Sequence, residues 1–211
     1  MERPLTPEER TSIRALYNDR YAEKGRSHET VGWSSRKDQR LRFEMLFRGL
    51  PIHGKTLLDV GCGLGDLIPF LDEKTGKDYE YLGTDISESL IADAEKTFGG
   101  PHRRFLVADI LEQELPKADI VVLSGALNFR IADNMSHARS MLRKMFELSN
   151  ETAAANFLSS FVDFQHPKNF HYPPGELFDF SKTLTRWVSL HHDYPLWEFT
   201  LQLHRRALEA S

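Results

Sequence analysis

The sequence predicts an α/β domain: a doubly wound, mostly parallel sheet with an antiparallel hairpin added at one edge. Three observations predict it. Between residues 55 and 158, short apolar runs alternate with segments of helical period, the order that builds a parallel sheet with helices on both faces. The run 118–123 is almost wholly apolar, as a strand covered on both faces is. Near the end, two strand-like stretches, 188–192 and 199–204, are separated only by the connector 193–198. That connector is too short for a right-handed crossover, so the pair is antiparallel.

The elements follow in order. Residues 7–25 read as a helix capped by Thr6, with Ile13, Leu16, Tyr17 and Tyr21 on one face. A polar stretch, 25–35, contains only Val31 and Trp33 as apolar members, and a second helix covers 36–50 with Leu41, Met45 and Leu46 as its stripe. The first strand, 55–60, runs into a glycine cluster, and a helix begins over 67–71. Residues 79–84 form the second strand, followed by Asp85. Ser87 caps the next helix, whose Leu90, Ile91, Ala94 and Phe98 share a face until Gly99, Gly100 and Pro101 stop it. Strands at 104–108 and 118–123, a helix at 135–148 and a strand at 152–158 complete the alternation. A long aromatic and basic loop covers 161–174.

At 211 residues the chain suits one domain with a full core rather than two. A net charge of −4 argues against a nucleic-acid partner, whose phosphates call for a basic surplus. The single cysteine, Cys62, excludes an internal disulfide, and no Cys/His array is spaced for zinc. The first residues lack a signal peptide's apolar core, and no apolar run approaches the roughly 20 residues that span a bilayer. A cytoplasmic protein with no membrane partner is expected; the oligomeric state is open.

The sharpest signal lies at 59–66, where Gly61, Gly63 and Gly65 alternate with Cys62 and Leu64 between a strand and a helix. Ligands of open α/β sheets bind at the carboxyl ends of the strands, where this bend lies. A dinucleotide fingerprint reads G-x-G-x-x-G and holds a pyrophosphate on a helix amino terminus. Here the third glycine comes one residue early, and Asp66 takes the fingerprint position. Asp59 stands two places before the first glycine. Carboxylates on both sides repel a pyrophosphate and suit a ligand carrying an ammonium and a sulfonium. Asp85 can accept hydrogen bonds from both ribose hydroxyls, a feature dehydrogenases share and a helix-end carboxylate would also explain. Asp109 can take an adenine amino group, with Ile86 and Ile110 on the purine; alone it would pass for a turn aspartate.

On these motifs the chain resembles the class I S-adenosylmethionine (SAM)-dependent methyltransferases over residues 36–205. The resemblance implies a Rossmann-like, seven-stranded sheet with an antiparallel last strand, and SAM as donor with S-adenosylhomocysteine (SAH) as product. It implies that Asp59, Gly61, Gly63 and Gly65 frame the methionine part, with Cys62 and Ile86 also in the cofactor set, and that Asp85 holds the ribose. Asp109 and Ile110 then hold the adenine, and Ser124, Gly125 and Ala126 the methyl end. Stretches at 21–25, 31–33, 42–43, 192–194 and 198–200 are similar to bacterial small-molecule tailoring methyltransferases. That likeness adds Trp33 and Arg42 to the cofactor set and implies that residues 1–50 form a helical lid over a core at 51–211.

Methyl transfer is an in-line displacement in which alignment alone is worth about 7–11 kcal/mol, and a base is needed only if the nucleophile must lose a proton. The Asn/Asp-Pro-Pro-aromatic motif of nucleobase and glutamine amine methylation is missing after the fourth strand, which lowers nucleic-acid acceptors further. The expected acceptor pocket comprises Tyr17, Tyr21, Trp33, Asn128, Phe129 and the loop carrying His166, Lys168, His171 and Tyr172. Lys168, His166 or His171, with Tyr21, would bind an acidic small molecule such as a carboxylate, phosphate or phosphonate for O-methylation. The alternative is N- or O-methylation of a neutral metabolite with His166 or His171 as base. From other classes stand a nicotinamide-dependent oxidoreductase and a non-catalytic SAM-binding protein.

Overall fold

A computed structural model of the chain describes residues 3–32 and 35–208. Trp33 therefore lies outside the described residues. The elements are α1 (Pro7–Lys24), α2 (Arg36–Leu46), β1 (Lys55–Val60), α3 (Leu67–Thr75), β2 (Tyr79–Asp85), α4 (Glu88–Phe98) and β3 (Arg103–Val107), then β4 (Ala118–Ser124), α5 (Asn134–Leu148), β5 (Ser149–Leu158), α6 (Pro174–Leu184), β6 (Trp187–His191) and β7 (Glu198–His204).

The strands form one seven-stranded sheet in the order β3-β2-β1-β4-β5-β7-β6. β1 to β5 run parallel, while β7 pairs antiparallel with β5 and with β6. The alternation of side chains divides the core in two. Along β4, Val121 and Leu123 face α5 and α6, and Ile120 and Val122 face α2 and α3. That two-sided burial is why this strand reads as a continuous apolar run. The order reverses between β1 and β4, which opens a crevice at their carboxyl ends.

Local chemistry fixes the ends of the helices. Thr6 and Glu9 form a reciprocal capping box on α1, each side chain accepting from the other's backbone N–H at 3.2 and 2.9 Å. Ser35 and Ser87 cap α2 and α4 in the same way as single acceptors.

Two expectations are corrected. The inner face of α2 is Gln39, Arg42, Phe43 and Leu46, not Leu41 and Met45. Its polar members bond to the sheet: the Arg42 guanidinium donates Nε–H to Glu198 at 2.7 Å, in an ion pair buried on both sides. From β7, Gln202 Nε2 donates to the carbonyls of Leu46 and Arg48 at 3.0 and 3.1 Å. An apolar stripe alone misreads such a helix. The second correction is α6, which the sequence reading passed over. Its Pro173, Pro174 and Gly175 look like breakers, but proline is well suited to a helix's first turn, where no intrahelical N–H is needed.

Because Arg42 is already desolvated, removing its counter-charge leaves a buried cation. Glu198→Ala is expected to cost about 3–5 kcal/mol in urea-unfolding free energy, and breaking the exposed Arg48–Asp193 pair far less.

Candidate active-site cleft

The crevice between β1 and β4 is filled from one side by the glycine bend. The backbone N–H groups of Gly61 and Cys62 both donate to the Thr84 carbonyl, at 2.8 and 2.9 Å, so the bend is stitched to the end of β2. Gly63 N–H donates to Asp85 Oδ2 at 3.0 Å, and Ser87 N–H to Asp85 Oδ1 at 2.9 Å. Gly61 has a φ of +71°. A Cβ there would sit 2.6 Å from the Cβ of Ala126, in the turn that leaves β4. At Gly63 a Cβ would meet Val31 at 2.9 Å, so the segment joining α1 to α2 presses on the bend from above. Glycine is thus required for close approach on two sides. Gly65 differs: its space is filled by Phe98 and Phe105, a packing role away from the cleft.

Three carboxylates surround the bend. Asp59 is buried at 4% exposure and accepts from Tyr81 Oη at 2.7 Å. Burial pushes its pKa from the ordinary 3.8 up to about 7, against the help of Tyr81 and with further upward pressure from Asp85 and Asp66. Burial also raises Asp85, offset by the N–H groups of Ser87, Gly63 and Ile86. Asp66 accepts from Gln39 Nε2 at 3.0 Å and stands 3.6 Å from Arg26. Such a cradle holds more negative charge than its own partners balance, which fits a cationic ligand and not a pyrophosphate. The side chain of Ser124, at the far wall, has a buried Oγ with no hydrogen-bond partner. The expected nucleoside fits both the charge and the orphaned hydroxyl.

The cleft spans about 1150 Å³, its solvent-open mouth included. Asp59, Gly61, Cys62 and Gly63 line it, as do Asp85, Ile86, Asp109 and Ile110. Ser124, Gly125 and Ala126 close its far end, with Gly125 N–H held by Asn156 Oδ1 at 3.0 Å. α1 lies across the top, contributing Ile13 and Tyr17. Arg10 reaches from α1 to Asp109 at 3.2 Å and to Glu112. Asn18 accepts from Ser87 and Ser89 at 2.8 and 2.6 Å, and Tyr21 donates to Asp93.

The structure does not bring all expected residues together. Arg42 is committed to Glu198 and is not among the cleft residues. Tyr21 points to Asp93 on α4, because the turn of α1 that carries it faces that helix. Tyr172 is fully buried, donating to the Leu127 carbonyl at 2.8 Å and stacked edge-on against Phe157 and Phe170. It belongs to the core. Of the acceptor set, Tyr17 and Phe129 line the cleft, with ring centroids 5.8 Å apart. Asn128 sits behind them, its backbone carbonyl accepting from Phe170 at 2.9 Å. His166 and Lys168 are exposed on the outside of the loop, and His171 is half-buried with an unpartnered Nδ1.

Other residues enter the cleft without a sequence forecast. Asn134, His137 and Met141 stand at i, i+3 and i+7 on α5 and all line it. Two polar residues on the apolar stripe of a helix were a legible signal. His137 donates Nδ1–H to the Arg3 carbonyl at 2.8 Å, and burial lowers its pKa, so its Nε2 is an acceptor. Gln39 and Phe43 enter from α2.

Known proteins place this arrangement. Residues 58–153 match the family model described as a methyltransferase domain. A non-reducing polyketide synthase, sorB of Penicillium rubens, is 39% identical over 92 residues, a match covering 41% of this chain and 3% of the synthase. The match thus covers a small fraction of that relative. Among solved structures, magnesium protoporphyrin IX methyltransferase (ChlM) from Synechocystis PCC 6803 with bound SAM has a TM-score of 0.67 at 17% identity, covering 97% of this chain and 100% of that one. The DhpI–SAH complex gives 0.66 at 15% identity, covering 95% and 98%. The pyocyanin biosynthetic protein PhzM gives 0.65 at 16% identity, covering 90% of this chain and 62% of its own.

Asp59 has a consequence for stability. Its folded pKa, about 7, lies above the ordinary value, so the protonated form favours folding. That contribution is full below about pH 4 and is lost as the pH rises through 7. Asp59→Asn should therefore gain stability relative to the parent between pH 4 and pH 8, read from urea unfolding at the two pH values.

Proposed function

We propose that this chain is a class I, SAM-dependent methyltransferase that methylates a small-molecule acceptor, and that the acceptor is acidic and methylated on oxygen. The observation that carries the donor half is the glycine bend ringed by Asp59, Asp66 and Asp85 at the switch point of the sheet. Bound there, SAM supplies an electrophilic methyl group and a positive charge. Asp59 and the orphaned Ser124 hydroxyl face its amino-acid end, Asp85 accepts from the ribose, and Asp109 and His137 offer acceptors to the adenine edge. Residues 1–50 act as the lid: α1 covers the cleft, none of its own residues is fully buried, and part-buried polar contacts to Asp109, Ser87 and Asp93 hold it there.

The acceptor enters beside Tyr17 and Phe129, where closure excludes water and aligns the nucleophile, the main requirement of the reaction. Burial raises the Tyr17 phenol to about 12, so it remains a neutral hydrogen-bond donor. An acidic acceptor is supported by a cation beside Phe129: the Arg20 guanidinium lies 6.0 Å from the centre of its ring. An ionised oxygen needs no base. ChlM, a magnesium protoporphyrin IX methyltransferase, and PhzM, a pyocyanin biosynthetic protein, are both named for small molecules, which supports the acceptor's size.

A second reading is favoured by one observation. His171 is kept neutral, chiefly by burial, and its Nδ1 is unpartnered, as a base for a neutral acceptor would be. A step in the pH–rate profile that disappears in His171→Gln would favour this alternative.

Calorimetry with SAH, SAM and NAD tests the donor assignment; the first two should bind and NAD should not. A cationic ligand favours ionised Asp59, so binding releases protons at pH 6, and affinity rises with pH until it levels off above about 7. Asp85→Ala should weaken SAH by about 10–100-fold through loss of charge-assisted hydrogen bonds.

A further inference from the structure

The N-terminal segment carries five described arginines, and four of them have carboxylate partners. Arg3 pairs with Glu9 at 2.8 Å, Arg10 with Asp109 and Glu112, Arg14 with Glu88 at 4.0 Å, and Arg26 with Asp93 at 2.8 Å. Arg20 is the exception. Among the described residues no carboxylate oxygen stands within 4.0 Å of its nitrogens, and it makes no hydrogen bond there. It is nonetheless half-buried and held in place. Its guanidinium carbon lies 5.8 Å from the ring centre of Tyr17 and 6.0 Å from that of Phe129, the two aromatic residues at the acceptor side of the cleft. The third neighbour is Gly32, where a Cβ would come 3.3 Å from the Arg20 guanidinium. The chain thus keeps space beside this group.

We propose that Arg20 is the receptor for an oxyanion on the acceptor, a carboxylate or phosphate-type group. This rests on the methyltransferase reading above and deepens it by moving recognition from the loop after β5 to α1. The cations on and beside that loop are placed otherwise. Arg130 spends its guanidinium on the Pro167 and Asn169 carbonyls at 3.1 and 3.0 Å and lies over Phe170. His166 and Lys168 are exposed. A guanidinium held beside two aromatic rings with no carboxylate partner keeps a planar N–H fork that matches a two-oxygen anion. Placing the receptor on α1 also links acceptor binding to closure, since the same helix holds Asp109 through Arg10.

The test uses SAH-saturated protein titrated with benzoate, phenyl phosphate and the neutral benzamide. Wild type should bind the two anions saturably and benzamide about tenfold more weakly or worse. Arg20→Gln should lose that preference, Arg20→Lys should keep part of it, and Arg14→Gln, which alters a distant surface pair, should keep all of it. SAH affinity, measured alongside, should be the same in every variant and reports that each is folded. Anions that bind no better than benzamide, or an unchanged preference in Arg20→Gln, overturn the proposal. Failure of wild type to bind SAH would overturn the donor reading and this one with it; SAH binding without anion preference overturns this one alone.

Discussion

The Thr84 carbonyl accepts two consecutive N–H groups from the glycine bend, and most of the site follows from that fixture. It folds the chain back over the end of β2 immediately after β1 ends. In that position the bend has no room for side chains at Gly61 and Gly63, because Ala126 and Val31 already occupy the space. The backbone itself therefore forms the floor of the cleft. Asp59, two places before Gly61, and Asp85, one step after Thr84, are brought to the same concave surface as a direct result. Two acids that are distant in sequence become neighbours because one carbonyl binds two amides.

That geometry sets the electrostatics. Burial under an apolar roof raises the pKa of Asp59 and of Asp85, and Asp85 and Asp66 push that of Asp59 further up. The hydrogen bond that Tyr81 donates to Asp59 favours its ionised form and offsets part of that rise. A cationic ligand turns the same repulsion into attraction. α1 works in the opposite sense, bringing arginines over an acidic floor. Arg10 is matched to Asp109 and Glu112, while Arg20 stands beside Tyr17 and Phe129 without a carboxylate partner among the described residues. Acids thus gather around the glycine bend, and an unmatched cation stands beside the aromatic pair.

The parts legible in the sequence were those governed by short-range rules. Strand alternation, the Thr6 and Ser87 caps, the early third glycine and the aspartates closing β2 and following β3 are all local patterns, and each recurs in the fold where its spacing put it. Gly65 recurs in the bend too, but for packing against Phe98 and Phe105. The misread parts depend on contacts across long separations. Arg42 looks like a cleft residue until Glu198, more than 150 positions later, is seen to hold it. Tyr172 and Tyr21 are aromatic residues with polar tips, and only the tertiary structure assigns those tips to Leu127 and Asp93. Arg20 was invisible for a different reason: an arginine is singled out by lacking a partner, and partners are not visible along a chain.

The central claim concerns how the bend receives its ligand, and a crystal structure of the chain grown with SAH tests it most directly. The account predicts the sulfur over Gly61 and Gly63, both ribose hydroxyls on Asp85, and the adenine between Ile86 and Ile110 with its amino group toward Asp109. A nucleoside bound elsewhere, or one whose ribose leaves Asp85 bonded only to Gly63 and Ser87, would contradict it.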